Sequence, residues 1–494
     1  MQRNLMTLHL KSKNCLNIKY KIFFILFFLI LGCEKKVITI QEENKIVNKN
    51  TNDSILNNNL KTNVKYLPEN ETELNLHFLD VDEFNKFNFK KFKNIKKMEI
   101  DFDLLDKEIY LSKLLYEISK LKNLKSINLI FDHKQHIPKE IGLLKNLEYL
   151  YIYNRKRTII SNTFTNLKLL KTLYLEINGY FSLPKSIKKL VNLDTIVLLN
   201  TINSNIPKEI KYLKKLKYLE LNGNQNLHIP REIQYLKNLR ELNLEGNKKL
   251  KIPNEIMFLD NLSKIRLEIN ENISIPKSIR YLKNLTELDI SFNKQIDIPS
   301  DILFIEQLNR FALKGIIENK ELIYSDICNL KSLNLLVLQS DDINQIPEWL
   351  YKCKELDTLS FIGCNMKYIS DKLILLKNLK LISFFQSRIS NLDSFIEICS
   401  KMNHLELISM GFHQKIKISN YISKLKNIKY LQIINDSLID ISPDITKLYN
   451  LKWLHLSKSP FLLDTNRSKP ILNRMRINGC NVIHPLLNNK EEIE

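Results

Sequence analysis

One phrase recurs along this chain and constrains what it can fold into. The pattern L-x-x-L-x-x-L-x-L begins at Leu121, Leu144, Leu167, Leu190, Leu213, Leu236, Leu259 and Leu282, each step being 23 residues. Further copies start at Ile305, Leu330, Cys353, Leu376, Met402, Leu425 and Leu448, with steps of 23 except for 25 before Leu330 and 26 before Met402. A fixed period of this size signals stacked supersecondary units, none of which can bury its apolar face alone. Fifteen stacked units therefore replace the roughly three domains that 494 residues would otherwise suggest.

Within a unit the physics is legible. In Leu236-Lys-Asn-Leu239-Arg-Glu-Leu242-Asn-Leu244-Glu-Gly-Asn247, the alternation around Leu242 and Leu244 predicts a short strand with one buried face. Asn247 falls where the chain leaves the strand. A buried amide there satisfies backbone groups of its own and adjacent turns. Asn178, Asn224, Asn270 and Asn293 hold the same place, and Cys364 fills it once. The return segment, as in Ile206-Pro207-Lys-Glu-Ile210, predicts a short helix with proline at its first position. Ile137-Pro138, Leu183-Pro184, Ile229-Pro230, Ile252-Pro253, Ile275-Pro276, Ile298-Pro299 and Ile346-Pro347 repeat that signal.

These features resemble leucine-rich repeats of the 23-residue kind, L-x-x-L-x-L-x-x-N with a Pro-bearing return, over roughly residues 121–457. The resemblance implies an α/β solenoid, with a parallel strand ladder on its concave side and short helices or turns on its convex side. At about 4.8 Å between strands, fifteen units give an inner face about 70 Å long. Arg155, Thr201, Ile316, Asp341, Ser387, His413 and Asp436 depart from the pattern at the Asn position, so local irregularity is expected there. Solenoid ends need covering. Leu74-Asn-Leu76 and Met98-Glu-Ile100 look like degenerate units forming an N-terminal cap. Ile471, Leu472 and Met475 share a helical face after Pro470, and residues 480–483 offer a closing strand.

The N-terminus carries a separate signal. Arg3, Lys11, Lys13, Lys19 and Lys21 precede an apolar run from Ile22 to Leu31. Ten residues span about 15 Å as a helix, half a bilayer core, which suits a secretory signal rather than a transmembrane helix. The run ends in Ile30-Leu31-Gly32-Cys33, which resembles the lipobox of bacterial lipoproteins. That resemblance implies cleavage before Cys33 and acylation of Cys33. The alternative is an uncleaved hydrophobic N-terminus. The expected organisation is a signal peptide over 1–32, a tether over 33–68, a cap over 69–120, repeats over 121–456, and a C-terminal cap and tail over 457–494.

Composition removes several function classes. The nine glycines are never closer than 23 residues, so neither a phosphate loop nor a dinucleotide fingerprint exists here. No HExxH, CxxC or G-x-S-x-G occurs. His133-x-x-His136 lacks evident further ligands for a metal. Cys353, Cys364 and Cys399 read as core residues, while Cys328 and Cys480 are candidate reactive thiols. No cofactor is called for.

Net charge is +21. Lys122, Lys145, Lys168, Lys214, Lys237, Lys283, Lys331, Lys354, Lys377 and Lys426 share one slot, either as an anion-binding ridge or as a solvated edge. Nucleic acid is not expected, because no aromatic platform interleaves that ridge and the leader exports the chain. The register also assigns the concave face. Tyr149, Tyr151, Tyr153 and Tyr174 lie at its start, and Glu220, Glu241, Glu245, Arg266, Glu268, Glu287 and Asp289 in its middle. Leu335, Val337, Ile362, Leu381, Phe385, Leu407, Tyr430, Ile434 and Trp453 follow. Exposed together, the last group would form a contiguous apolar patch for a partner, unless insertions or caps cover it. The expectation is a monomeric, non-enzymatic protein bound to the bacterial envelope by its lipid, holding a protein or glycan. The alternative is a repeat-containing effector or enzyme, but the residues after Ser457 leave no room for a large catalytic domain.

Overall fold

The computed structural model describes residues 72–484, apart from 79–88, 90–91, 103–107, 132–133, 155, 203–204, 315–325, 340–342, 413–414, 436 and 458. Residues 69–494 belong to one compact unit. Among the described residues its spine is a parallel sheet of 19 strands. One of these, the two-residue Asn365–Met366, pairs only with the tail of Leu381–Ile389, away from the main ladder. The ladder starts with Glu73–Phe78 and Lys97–Phe102, joined in register to Ser126–Phe131. It ends where Asn481–Ile483 pairs with Trp453–Leu456. Between these ends the strands follow sequence order.

The register repeats because the unit does. Leu219 sits beside Leu242, which sits beside Ile265, which sits beside Leu288. All four are at most 1% exposed. Ile233, Ile256, Ile279 and Ile302 of the opposite side close on them, each at most 2% exposed. The core is therefore a set of aliphatic columns running the length of the array, with buried phenylalanines such as Phe131, Phe164 and Phe311 set among them. Near the later insertion, Phe361 stacks on Phe384 with centroids 5.2 Å apart, and Phe384 meets Phe395 edge-on at 5.2 Å. Phe395 comes from Leu392–Ser400, a true α-helix that absorbs the extra residues of the 26-residue step.

Most of the other short helices are 3-10 turns of about five residues, such as Lys208–Tyr212, Arg231–Tyr235 and Asn254–Phe258. Tight winding of this kind is stable only in short pieces, which is all a 23-residue unit has room for. Proline stands one position earlier than expected. Pro207, Pro230 and Pro253 are the extended residues before the helix, not its first residue. The carbonyl explains the shift: Ile210 N–H donates to the Pro207 oxygen at 3.0 Å and starts the turn, while proline's missing N–H leaves no orphan. Return segments also form a second ladder, with Asn226–His228, Lys249–Lys251, Asn272–Ser274 and Gln295–Asp297 in one four-stranded sheet.

Candidate functional site: the strand face

Two kinds of residue occupy the strand side: those that hold adjacent turns together and those that face outward. The first kind is built on Asn224, Asn247, Asn270 and Asn293, which are 0%, 0%, 1% and 2% exposed. Asn247 Oδ1 accepts from Asn224 N–H at 3.0 Å, Asn270 Oδ1 from Asn247 N–H at 2.7 Å, and Asn293 Oδ1 from Asn270 N–H at 2.7 Å. Asn247 Nδ2 donates to the carbonyls of Leu221 at 3.0 Å and Leu244 at 2.6 Å. Each amide therefore spends its oxygen on the preceding unit. The residue just before each rung is left-handed: Gly223, Gly246, Ile269 and Phe292 have φ of 69°, 71°, 58° and 60°. An isoleucine rarely adopts that conformation, so the rung is what holds Ile269 there.

Asn178 does not join this column. It is exposed, because Thr172–Tyr180 runs on as a strand through the expected turn and its alternation buries Ile177 and Gly179 instead. One unit earlier the strand buries Asn154, and late in the array Asn435 is buried. Thr201 and Ser387 keep the column with hydroxyls where irregularity was expected. Thr201 Oγ1 bonds Asn224 Oδ1, and Ser387 Oγ accepts from Cys364 N–H at 3.1 Å. Irregularity is present nonetheless as a register shift between Phe385 and Ser387. Positions 155, 316, 341, 413 and 436 lie outside the described residues.

A second column of asparagines stands two residues after the first leucine of many repeats. Asn146, Asn192, Asn238, Asn261, Asn378 and Asn450 donate from Nδ2 to a carbonyl one unit back, at 2.7–3.0 Å, as Asn238 does to Lys214 and Asn261 to Lys237. Their regular recurrence was the available signal.

The outward residues fall into three stretches. At the start, Tyr149, Tyr151 and Tyr153 alternate along one strand, and Tyr174 on the next strand is the register partner of Tyr151. All four are half-buried. The Tyr151 and Tyr174 rings lie 4.7 Å apart, tilted at 49°. Burial, and next the carboxylate of Glu176, push both hydroxyls well above their ordinary pKa. They remain neutral phenols across the physiological range.

In the middle stretch the charges are organised. Glu220 accepts from Tyr218 Oη at 2.5 Å and from Asn222 Nδ2 at 2.6 Å. Glu287 pairs with Lys264 at 2.9 Å and with Arg310 at 3.6 Å. Burial opposes ionisation of Glu287, but the two cations outweigh it and hold its pKa below 4.5. Glu268 goes the other way. Burial first, then the charge and hydrogen bond of Asp289 and the charge of Glu245, raise its pKa far above 4.5, against the pull of Arg266. Tyr218, Asn243, Lys264 and Arg310 follow from the same register rule and belong with the residues named from the sequence.

The late stretch needs the largest correction. Leu381 and Leu407 are 3% and 5% exposed, and Leu335, Val337 and Ile362 are buried as well. Leu335, Thr358, Leu381, Leu407, Tyr430 and Trp453 form one cross-strand row in register. An aliphatic chain flanked on both sides in such a row loses its surface to its neighbours. Trp453, next to Asn481 at the row's end, keeps 36%. Tyr430, Ile434 and Phe385 are partly exposed, and Phe385 leans on Gly411, where a Cβ would stand 3.0 Å from its ring. The adjacent row is polar: Ser360, Ser383, Ser409, Gln432 and His455. Ser409 Oγ donates to Gln432 Oε1 at 2.8 Å, and Gln432 Nε2 lies 2.9 Å from His455 Nδ1. Among the described residues the aliphatic side chains of this stretch other than Ile434 are thus buried and leave little apolar surface for a partner.

Cysteine placement differs too. Cys328 and Cys353 are joined in a disulfide with Cα atoms 4.6 Å apart, so neither is a free thiol. The short helix Ile327–Asn329 brings Cys328 over the first leucine slot of the next unit, which Cys353 fills. Cys480 is buried and its thiol is pushed up to about 11 by burial, which removes it as a reactive group. Cys364 and Cys399 are buried and take part in no disulfide. Cys33 and His133 lie outside the described residues. Among those residues no helix is long and apolar enough to cross a membrane.

No family model and no curated protein matches the chain. Among solved structures, TLR13 in its complex with ssRNA13 is similar at 19% identity and a TM-score of 0.53, over 68% of this chain and 53% of that one. A leucine-rich repeat protein of Leptospira interrogans is similar at 26% identity and a TM-score of 0.49, over 80% of this chain and 91% of that one. An internalin from Listeria monocytogenes shows 19% identity and a TM-score of 0.41, over 61% and 89%. The parallel ladder, the short helical turns and the likeness to TLR13 make the fold a leucine-rich repeat solenoid.

Proposed function

We propose that this solenoid is a non-enzymatic binding protein, lipid-anchored to a bacterial envelope, that holds a protein or glycan partner on its strand face. The observation that carries the binding reading is the half-exposed cluster of Tyr149, Tyr151, Tyr153 and Tyr174, continuous along the ladder with the ordered charges from Tyr218 to Arg310. Aromatic rings bordered by fixed charges are the usual centres of binding energy. TLR13 binds RNA in its structure, but here the carboxylates of Glu220, Glu241 and Asp289 would meet a phosphate backbone with like charge. Envelope placement is supported by the signal-like run before Cys33, and by the Cys328–Cys353 disulfide, which suits an oxidising compartment.

The test is partner capture by the full chain from crosslinked cells, comparing wild type with Tyr151→Ser/Tyr174→Ser. Two lost anchor rings at roughly 2 kcal/mol or more each predict a fall in capture of well over about tenfold. Equal capture with an intact fold would remove the tyrosine cluster from the binding reading.

A further inference from the structure

The helix side carries an order of its own. The last residue of the short helix is Tyr212, Tyr235, Phe258, Tyr281 and Phe304 in five consecutive units. All five are exposed, between 42% and 57%. No core position explains them, since the leucine or isoleucine that follows each is the residue that turns inward. Contiguous exposed aromatics on a folded surface mark a contact site. Cations from the same or the preceding unit stand over the rings. Lys211 Nζ is 5.3 Å from the Tyr212 centroid, Lys214 Nζ 5.0 Å from that of Tyr235, and Lys237 Nζ 5.6 Å from that of Phe258. The Arg280 guanidinium is 5.8 Å from Tyr281 and 4.0 Å from Phe304. In the same slot, exposed Lys189 precedes the stripe by one unit and Lys352 follows it by two. The lysine ridge read from the sequence is thus interleaved with aromatics over this stretch, contrary to that expectation.

We infer that this stripe docks on an anionic phospholipid bilayer. Three observations favour a bilayer over other polyanions. A base or sugar platform needs open ring faces, whereas cations here stand over at least one face of every ring. Tyrosine and phenylalanine beside long cationic side chains are what the headgroup boundary accommodates: rings at the interface, lysine stems along them, charges on anionic headgroups. Finally, a helix side that curves outward touches a plane only over a few units, and the aromatics occupy five adjacent ones before the slot passes to Asn329. The inference rests on the membrane anchoring proposed above. Residues 34–68, fully extended, reach at most about 120 Å, so a chain acylated at Cys33 keeps the stripe within reach of the same bilayer and raises its effective concentration there.

The test uses full chain purified in detergent and reconstituted into phosphatidylcholine vesicles, with or without phosphatidylglycerol. Phe258→Trp places an indole on the stripe, and its emission is read as the excess over wild type, which keeps Trp349 and Trp453 as background. Brominated acyl chains should quench that excess in phosphatidylglycerol vesicles and leave it intact in pure phosphatidylcholine. Lys214→Glu/Lys237→Glu/Arg280→Glu should abolish the quenching while far-ultraviolet dichroism is unchanged. Absence of quenching in phosphatidylglycerol vesicles overturns the inference, as does equal quenching in both lipids. Shielding of the excess from iodide by single-stranded RNA or dextran sulfate, without lipid quenching, overturns it in favour of a soluble polyanion. The mass of the N-terminal peptide, read on the same sample, reports acylation at Cys33 independently, so a failed anchor and a failed stripe are told apart.

Discussion

Asn247 makes its oxygen and its nitrogen serve different units, so its replacement removes more than one bond. In Asn247→Leu the Asn224 N–H loses its acceptor, and the carbonyls of Leu221 and Leu244 lose a donor, all in a buried turn. The expected cost is roughly 1–3 kcal/mol, seen as a lower urea midpoint; an unchanged midpoint would mean that water replaces the rung. Glu268 predicts a change in the opposite direction. Its folded pKa is raised above the ordinary 4.5, so the unfolded chain releases the proton first as pH climbs. Stability from this group is whole below about pH 4.5 and declines steadily above it. Glu268→Gln removes that decline. The variant should gain on wild type in urea midpoint from pH 5 to pH 8, and a gap that stays constant over that range would disprove the proton shared with Asp289.

At the scale of elements, the disulfide ties two consecutive units across a loop with a sequence separation of 25. Chain-entropy arithmetic for such a loop gives about 3.5 kcal/mol, which is lost on reduction. In Cys328→Ser the strands Leu335–Gln339 and Thr358–Ile362 should exchange their amide hydrogens faster than in wild type, while Glu241–Asn243 far along the ladder should not change. Uniform protection in both proteins would show that the bond is not formed in solution. Elements also mark where sequence reading succeeds and stops. Leu242 and Leu244 announce their strand because period-two burial is written in the side chains themselves. Asn178 misled because nothing local says that its strand continues past Glu176; the neighbouring strand's register decides that. Leu381 and Leu407 were placed on the outward face from alternation alone, and their loss of surface comes from residues 23 or more positions away. The Cys328–Cys353 pair is hidden because the two cysteines stand in different slots of adjacent units, Cys328 two residues before Leu330 and Cys353 in the leucine slot one 23-residue step on, while Tyr235 and Phe258 lie in plain view beside the leucines.

For the whole molecule, anchoring decides what either face can reach. If Cys33 is the acylated N-terminus, metabolic labelling with a fatty acid marks the wild type and not Cys33→Ala. Equal labelling of the two would place the lipid elsewhere or nowhere, and the strand face would then work free of a surface. The in-register stacking has one more consequence, which concerns how such a chain changes over generations. Every rung, whether an asparagine amide such as Asn247 or a strand pair such as Leu242 with Ile265, contacts only the unit before and the unit after. A gene duplication or loss that adds or removes one whole unit would leave every surviving neighbour with a partner of the same kind. Slippage by any other length breaks a rung and must be absorbed by a longer connection, as Leu392–Ser400 does. The length of the array is thus the easiest trait for mutation to alter, and the spacing between the two faces proposed to bind can drift without the fold being reinvented.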